Sequence, residues 1–289
     1  MSQSRANLVL LFCAVIWGFA FICQKRAMVH IGPFLFIALR GLLAALALSP
    51  LAWREWRQVA SHSRQSSILR WSFFAGLAFF GAAALQQGGL VTATVTNAGF
   101  LTALYVVITP FLAWIFMRQK PGWLVWLAAA MSFFGTWLLG GGSMAALSRG
   151  DVYVALSAFL WALHVVLVGF AARHGRVAMF TALQFVFVAL FAFAVTGFYE
   201  QVTWQAIWAA KADLLFVGIL SSALTFTLLA VAMRSTPPAK VAVLLSTESL
   251  FSALSAYLIL GERLPPIAWL GALAIFTATL IVHIPSQKA

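Results

Sequence analysis

Charged side chains are scarce in this chain of 289 residues. Lys and Arg number 18 and Asp and Glu only 6, together 8%, against 63% hydrophobic residues. A soluble domain has about a quarter of its residues charged. With a mean hydropathy of +0.99, the chain cannot present a polar surface on all sides. We therefore expect lipid to be its solvent, and the composition excludes a soluble globular enzyme.

Cysteine is also rare. Cys13 and Cys23 are the only two. Ten residues along a helix span about 15 Å, which is beyond disulfide reach, so we interpret both as packing residues. The sequence contains no metal-spaced His and Cys cluster, no Gly-x-Ser-x-Gly elbow and no Walker loop. We therefore expect no catalytic residue, no metal and no cofactor.

The net charge of +12 comes from basic residues scattered between apolar runs, so it predicts helix orientation and excludes nucleic-acid binding. One side of the membrane collects 12 Lys and Arg residues and the other side 5. The excess predicts that both termini are cytoplasmic and that the number of spans is even. The 12 are Arg5, Arg54, Arg57, Arg64, Arg70, Arg118, Lys120, Arg173, Arg176, Arg234, Lys240 and Lys288.

Apolar runs of about 20 residues are the dominant pattern, and each is long enough to cross a bilayer as a helix. They predict an all-α membrane protein with ten transmembrane helices. The runs cover 8–26, 33–52, 70–90, 94–116, 122–140, 151–171, 177–198, 213–233, 239–260 and 266–284.

The chain also resembles itself when shifted by 144 residues. This offset places Trp17 on Trp161 and Pro121 on Pro265. It predicts two repeats, residues 1–144 and 145–289, with five spans each. Because five is odd, the second repeat enters the membrane from the opposite side. Two inverted five-helix repeats are typical of secondary transporters.

Several segments resemble EamA-type members of the drug/metabolite transporter superfamily. Residues 248–264, ending in Leu-Gly-Glu-Arg-Leu, are similar to the ninth helix and its exit loop. Residues 14–21, 33–40, 109–110 and 118–121 are similar to the first, second and fourth helices. The resemblance implies ten helices in two inverted repeats, a central cavity and alternating access. Family members of this size include amino-acid exporters of the YddG type.

Ionisable residues within the spans are candidates for function because they are costly in hydrocarbon. Glu248 is the only acidic residue that we place in mid-helix. It could line the cavity, or it could be a neutral hydrogen-bonded group between helices. Arg40 could bind a substrate carboxylate, pair with Glu248 or bond to neighbouring carbonyl groups. Gln184 is its polar counterpart in the second repeat.

Trp17 and Trp161 are equivalent mid-span residues, suited either to stacking on a planar substrate or to helix packing. His164 lies on nearly the same helix face as Trp161, either as a proton carrier or as a packing residue. Asn97 and Tyr105 share a predicted face of the fourth helix, which could line the cavity.

These residues predict a secondary transporter that exports amino acids, aromatic or large neutral, through a central cavity. The third/fourth and eighth/ninth helix hairpins would rock. The alternatives are export of another solute class, such as drugs or sugars, an intramembrane enzyme or a channel. We expect a monomer in the cytoplasmic (inner) membrane, with lipid, a small-molecule substrate and protons as its partners.

Overall fold

A computed structural model describes residues 1–58, 62–142, 148–173 and 175–283. The expected repeat boundary at 144/145 and the predicted inner-side residue Lys288 lie outside these ranges. Ten long helical segments follow one another, and a short helix, Trp204–Ala209, precedes the eighth. They are α1 Gln3–Ala27, α2 Pro33–Arg57, α3 His62–Leu90, α4 Val95–Met117, α5 Trp123–Leu139, α6 Arg149–Ala172, α7 Val177–Tyr199, α8 Lys211–Ala232, α9 Pro238–Leu260 and α10 Ala268–His283.

Eight of these helices are long and apolar enough to cross a membrane, and α5 and α10 are shorter apolar helices. The prediction of ten transmembrane helices is confirmed. The predicted ends were wrong for three of them. The helix α1 begins at Gln3 rather than at residue 8, α2 continues to Arg57, and α3 begins at His62. These extra turns are polar. A helix can continue beyond the end of its apolar stretch, so the apolar run does not mark where the helix ends.

The helices alternate in direction between two faces of the protein. We call the face where α1 begins the N-terminal face and the face where α1 ends the far face. The most extensive packing joins α2 to α7, α3 to α6 and α5 to α10. Each of these pairs joins a helix of the first half to one of the second half, so the halves interlock.

Two carboxylates tie α2 and α7 together. The backbone N–H of Met179, near the start of α7, donates to the carboxylate of Glu55 near the end of α2, at 2.8 Å. At the far face, the N–H groups of Phe34 and Leu35 donate to Glu200, which follows α7, at 2.9 and 2.7 Å. Each helix therefore supplies the acid that caps the start of the other, which requires the two to run antiparallel.

Two of the spans are broken at equivalent positions. A turn at residues 103–104 divides α4 into Val95–Thr102 and Tyr105–Met117. A turn at residues 246–247 divides α9, whose second part begins at Glu248. The two breaks lie 143 residues apart, one residue fewer than the offset of 144 that aligns Trp17 with Trp161. Glu248 thus lies in the middle of its span and is the first residue after the break.

Close backbone contact seals the far face between α3 and α6. A Cβ added at Gly89 would lie 2.5 Å from the carbonyl oxygen of Gly150, and one added at Gly150 would clash with the Gly89 carbonyl group. Only glycine allows the two helices to approach this closely. By contrast, a Cβ at the neighbouring Gly88 would meet nothing within 4 Å.

Candidate functional site

A central cavity of about 60 Å³ lies where the two halves meet. Six of the eight residues predicted from the sequence line it: Trp17, Arg40, Tyr105, Trp161, His164 and Glu248. They come from α1, α2, α4, α6 and α9. The cavity thus brings together residues that are far apart in the sequence.

The guanidinium of Arg40 is the cationic group of the cavity. It donates to the hydroxyl oxygen of Ser222 at 2.9 and 3.1 Å and to the amide oxygen of Gln24 at 3.5 Å. Its central carbon lies 5.4 Å from the centroid of the Phe79 ring. These bonds use three of the five N–H donors of an arginine. Arg40 is 3% exposed, and within the described ranges it pairs with no carboxylate.

Glu248 supplies the acidic group. It lies beside the phenol of Tyr105, and within the described part of the chain its Oε1 atom is buried without a hydrogen-bond partner. Tyr105 and Glu248 are each the first residue after the break in their helix. Of the alternatives considered for Arg40, a pairing with Glu248 is not among its contacts within the described ranges. The cavity therefore holds a cation and an acid that are not neutralised by one another.

Aromatic rings form the remaining wall. The rings of Trp17 and Phe226 lie 4.8 Å apart, those of Trp161 and Phe226 6.4 Å, and those of Trp161 and Phe79 5.0 Å. The indole N–H of Trp17 donates to Thr225 Oγ1 at 2.8 Å. The Nε1 atom of Trp161 is buried without a partner among the described residues. One indole is therefore fixed by α8, while the other leaves a donor unused.

His164 lines the cavity, and Gln184 contacts it from behind. The histidine Nε2 atom lies 2.9 Å from the Gln184 amide oxygen, so Nε2 carries the proton in this arrangement and Nδ1 is an acceptor. Neither Nδ1 of His164 nor Nε2 of Gln184 has a partner within the described ranges. Gln184 thus does not line the cavity itself but orients the histidine that does.

Asn97 lies outside the cavity, near the far-face start of α4. Its backbone N–H donates to the hydroxyl of Thr94, which caps the helix. The turn at residues 103–104 separates Asn97 from Tyr105, so the continuous helix face on which the prediction depended does not exist.

Sequence reasoning missed several residues of the cavity. Gln24 and Phe226 line it, yet one lies near a predicted helix end and the other within a uniformly apolar run. Gln86 also lines it, and its amide donates to Thr102 Oγ1 at 2.8 Å within the wall. Gln24 lies seven residues after Trp17 and so on the same helix face, a signal that could have identified it.

The two faces of the protein differ in how they are closed. At the far face, the Lys25 ammonium donates to the carbonyl oxygens of Leu90 and Ala93 at 2.7 and 2.8 Å. At the N-terminal face, a vestibule of about 390 Å³ opens between the ends of α4, α6 and α8 and the start of α9. Gln3, near the start of α1, donates to Thr236 at its rim. The far face is thus closed by hydrogen bonds, whereas the N-terminal face carries an open vestibule, whose lining residues differ from those of the central cavity.

The described residues include no group of three His, Cys, Asp or Glu side chains that could hold a metal ion. The one salt bridge within those ranges joins Arg26 to Asp213 at 2.6 Å. It lies at the far-face ends of α1 and α8, away from the cavity. The cavity presents a guanidinium, a carboxyl group and aromatic rings, which are groups that can bind a polar solute.

Comparison with known proteins agrees with this architecture. The chain is 27% identical over 289 residues to an uncharacterized transporter of Archaeoglobus fulgidus, covering 96% of this chain and 86% of that protein. It is 25% identical over 301 residues to the uncharacterized inner membrane transporter YicL of Salmonella typhimurium, covering 99% and 98%. A solved crystal structure shares the fold, with a TM-score of 0.76, 17% identity and 98% coverage of both chains.

The model of the EamA-like transporter family matches residues 4–141 and residues 148–284. Each matched stretch contains five of the ten helices, so the family signature occurs once in each half. Together with the cavity between the halves, this match identifies a membrane transporter rather than an enzyme: the chain belongs to the EamA-like transporter family.

Proposed function

We propose that this protein is a secondary transporter that exports amino acids with aromatic or large neutral side chains. One observation carries the proposal. The same cavity presents a buried guanidinium with no carboxylate partner and a carboxyl oxygen with no hydrogen-bond partner within the described residues, next to a wall of aromatic rings. An amino acid carries the complementary set: a carboxylate, an ammonium group and a side chain.

The chemistry of each contact follows from the groups present. The two free N–H donors of Arg40 would take the substrate carboxylate, for which the planar guanidinium is well shaped. Glu248 would accept from the substrate ammonium group. The rings of Trp17, Trp161 and Phe226 would pack on an aromatic or large aliphatic side chain. A buried charge is costly when it is alone, so a substrate that satisfies both groups is favoured over one that satisfies either.

We propose alternating access for the transport cycle. Residues 1–144 and 145–289 act as inverted five-helix repeats, with the N-terminal face in the cytoplasm, as the distribution of Lys and Arg indicates. The open vestibule then faces the cytoplasm, which is the loading state of an exporter. The cavity volume of about 60 Å³ must increase for an amino acid to enter, and the broken helices α4 and α9 are the elements that would move.

Two groups are suited to carry a proton if export is coupled to protons. Glu248 and His164 both line the cavity, and the Nδ1 atom of His164 is free of described partners. The protein would work as a monomer surrounded by lipid, since the cavity is built within one chain.

A second candidate substrate class is a cationic aromatic drug. Glu248 beside several aromatic rings favours it, because such rings and a carboxylate together bind an organic cation. Arg40 opposes it by charge repulsion in a site of low dielectric. The two candidates therefore differ in whether the substrate needs a carboxylate.

The experiment is flux through purified protein in liposomes, with and without a pH gradient. The panel contains labelled tryptophan and phenylalanine, tryptamine, which lacks the carboxylate, 3-indolepropionate, which lacks the amine, and a sugar. We expect saturable flux of tryptophan and phenylalanine and little flux of the two truncated analogues. Dependence on the pH gradient would point to Glu248 or His164 as the proton carrier.

Other outcomes would redirect the assignment. Transport of tryptamine in preference to tryptophan would favour the cationic-drug exporter. Flux equal to that of protein-free liposomes for every amino acid would contradict the amino-acid proposal and leave the family membership unaffected.

A further inference from the structure

At the far face, one side chain in the loop after α9 joins the two broken helices. The carboxylate of Glu262 accepts from the backbone N–H groups of Val95 and Thr96 at 3.0 and 3.1 Å and from the Thr96 hydroxyl at 2.6 Å. It therefore caps the start of α4 and joins the end of one broken helix to the beginning of the other. Because α4 and α9 also meet through Ser252, whose hydroxyl donates to the Val95 carbonyl at 3.1 Å, these bonds close the cavity on that side.

The loop after α4, at the N-terminal face, has the same backbone geometry as the loop after α9. Arg118 and Gly261 end their helices in the left-handed region, with φ of 53° and 67°, and they lie 143 residues apart. Gln119 is the next residue in one loop and Glu262 in the other. The same offset of 143 residues relates the two helix breaks. Gln119 is therefore the positional counterpart of the side chain that closes the far face.

The contact that Glu262 makes has no equivalent at the N-terminal face in this state. Within the described ranges, the amide oxygen of Gln119 is buried without a hydrogen-bond partner. The start of α9, at Pro237 and Pro238, receives no side-chain cap there. All three residues line the open vestibule of about 390 Å³. An unused acceptor and an uncapped helix start thus lie on the walls of the same opening.

The acceptors and donors also match in number. At the far face, the two oxygens of a carboxylate meet the N–H groups of the first two residues of α4. The first residue of α9 is Pro238, which has no N–H, so only Ala239 offers the equivalent donor. A glutamine offers one acceptor oxygen, which suffices for one donor.

We infer that Gln119 is the latch of the gate at the N-terminal face. When the vestibule closes, its amide oxygen accepts from the N–H of Ala239, while Glu262 releases the start of α4 and the far face opens. This inference rests on the transport cycle proposed above, but it does not depend on the substrate. It also explains the state observed, because a charged cap with three bonds outweighs a neutral cap with one.

The test measures the accessibility of reporter cysteines, in a variant whose native cysteines are replaced (Cys13→Ala, Cys23→Ala) and whose fold is verified. Ala98→Cys, buried in α4, reports opening of the far face, and Ser235→Cys reports opening of the vestibule. Each is labelled by a membrane-impermeant maleimide in vesicles of known orientation. In this background, Gln119→Leu is compared with Lys120→Leu, a change of an exposed residue in the same loop.

We expect Gln119→Leu to lower the labelling rate of Ala98→Cys by about two- to tenfold, the range set by one neutral hydrogen bond, and to raise that of Ser235→Cys. Glu262→Gln should have the opposite effect, and Lys120→Leu should have none. Labelling of both reporters that Gln119→Leu leaves unchanged, or shifts in the same way as Lys120→Leu, would overturn the inference. No substrate is needed, so failure of the amino-acid assignment would show in the flux experiment alone.

Discussion

The two halves of this transporter share an arrangement of helices but differ in the polar residues at equivalent positions. Their helix breaks and left-handed loop residues are equally spaced, and α2 and α7 cap one another. At the cavity and directly behind it the equivalent positions differ: Arg40 corresponds to Gln184, and Tyr105 to Glu248. Two similar halves suit the alternating access that we propose, in which the same arrangement opens toward either face. The proposed amino-acid substrate has unlike ends and would require unlike residues, so the contrast separates the elements that we propose to move from those that we propose to bind.

The largest expected effect on transport comes from Arg40→Gln, which gives the first half the residue type that the second half has at Gln184. Arg40→Gln would remove the charged donors for the substrate carboxylate and should raise the KM for tryptophan by about 10- to 100-fold, the range of hydrogen bonds to a charged group. Flux measurements in liposomes check this. Arg54→Gln, an exposed change on the same helix, should leave the KM unchanged. A normal KM in the Arg40→Gln variant would mean that the arginine only holds α2 to α8.

A second comparison concerns the glycines of α3. Gly89→Ala forces a Cβ against the Gly150 carbonyl and should lower the free energy of unfolding by about 1–3 kcal/mol. Gly88→Ala meets nothing within 4 Å and should be neutral or stabilising by up to about 1 kcal/mol, because alanine favours a helix. Thermal unfolding in detergent measures both. Equal effects of the two changes would show that the far face is not closed by backbone contact.

The equivalent tryptophans provide a third test. Trp17→Phe removes the donor to Thr225 and Ser221 and should cost about 1 kcal/mol more stability than Trp161→Phe, whose donor has no described partner. Both changes lose similar ring area, so their difference isolates the hydrogen bonds. If Trp161→Phe is the more destabilising, an additional group must bond to its indole in the folded protein.

The smallest effect concerns the paired caps. Glu200→Gln should cost about 0.5–1 kcal/mol, because a carboxylate that accepts from two N–H groups becomes a neutral amide with one acceptor oxygen. Glu55→Gln should cost less, since Glu55 accepts from Met179 alone at this helix start. Denaturation of the two variants under identical conditions ranks them. The reverse order would indicate that the N-terminal face, not the far face, holds α2 and α7 together.

The number of helices was predictable because hydrocarbon thickness fixes the length of an apolar run. The helix ends were not, since the polar turns at Gln3, His62 and Arg57 continue a helix beyond the apolar stretch. The breaks at 103–104 and 246–247 carry no proline or glycine. They are consistent with the crossing of α4 and α9 in the folded protein, which no local pattern in either helix shows.

The cavity was largely predictable because a polar group within a span needs a partner or a function. That reasoning found Arg40, His164 and Glu248. It failed for Asn97, where the helix face was assumed to be continuous, and for Phe226, since a phenylalanine in an apolar helix is no signal. Contacts such as that of Gln184 with His164 depend on which helices are neighbours, and this follows only from the fold.

The meeting of Tyr105 and Glu248 has a consequence for the origin of a fused chain. If each half were a separate molecule, a symmetric pair of identical halves would bring two tyrosines or two glutamates face to face at this point. Two glutamates would repel one another in a medium of low dielectric, and two phenols would supply no acid. Joining the halves in one polypeptide removes that constraint, because the residue in one half can then be substituted without the same substitution in the other half. A single covalent link thus allows an acid and a neutral donor to be neighbours at the centre of the protein.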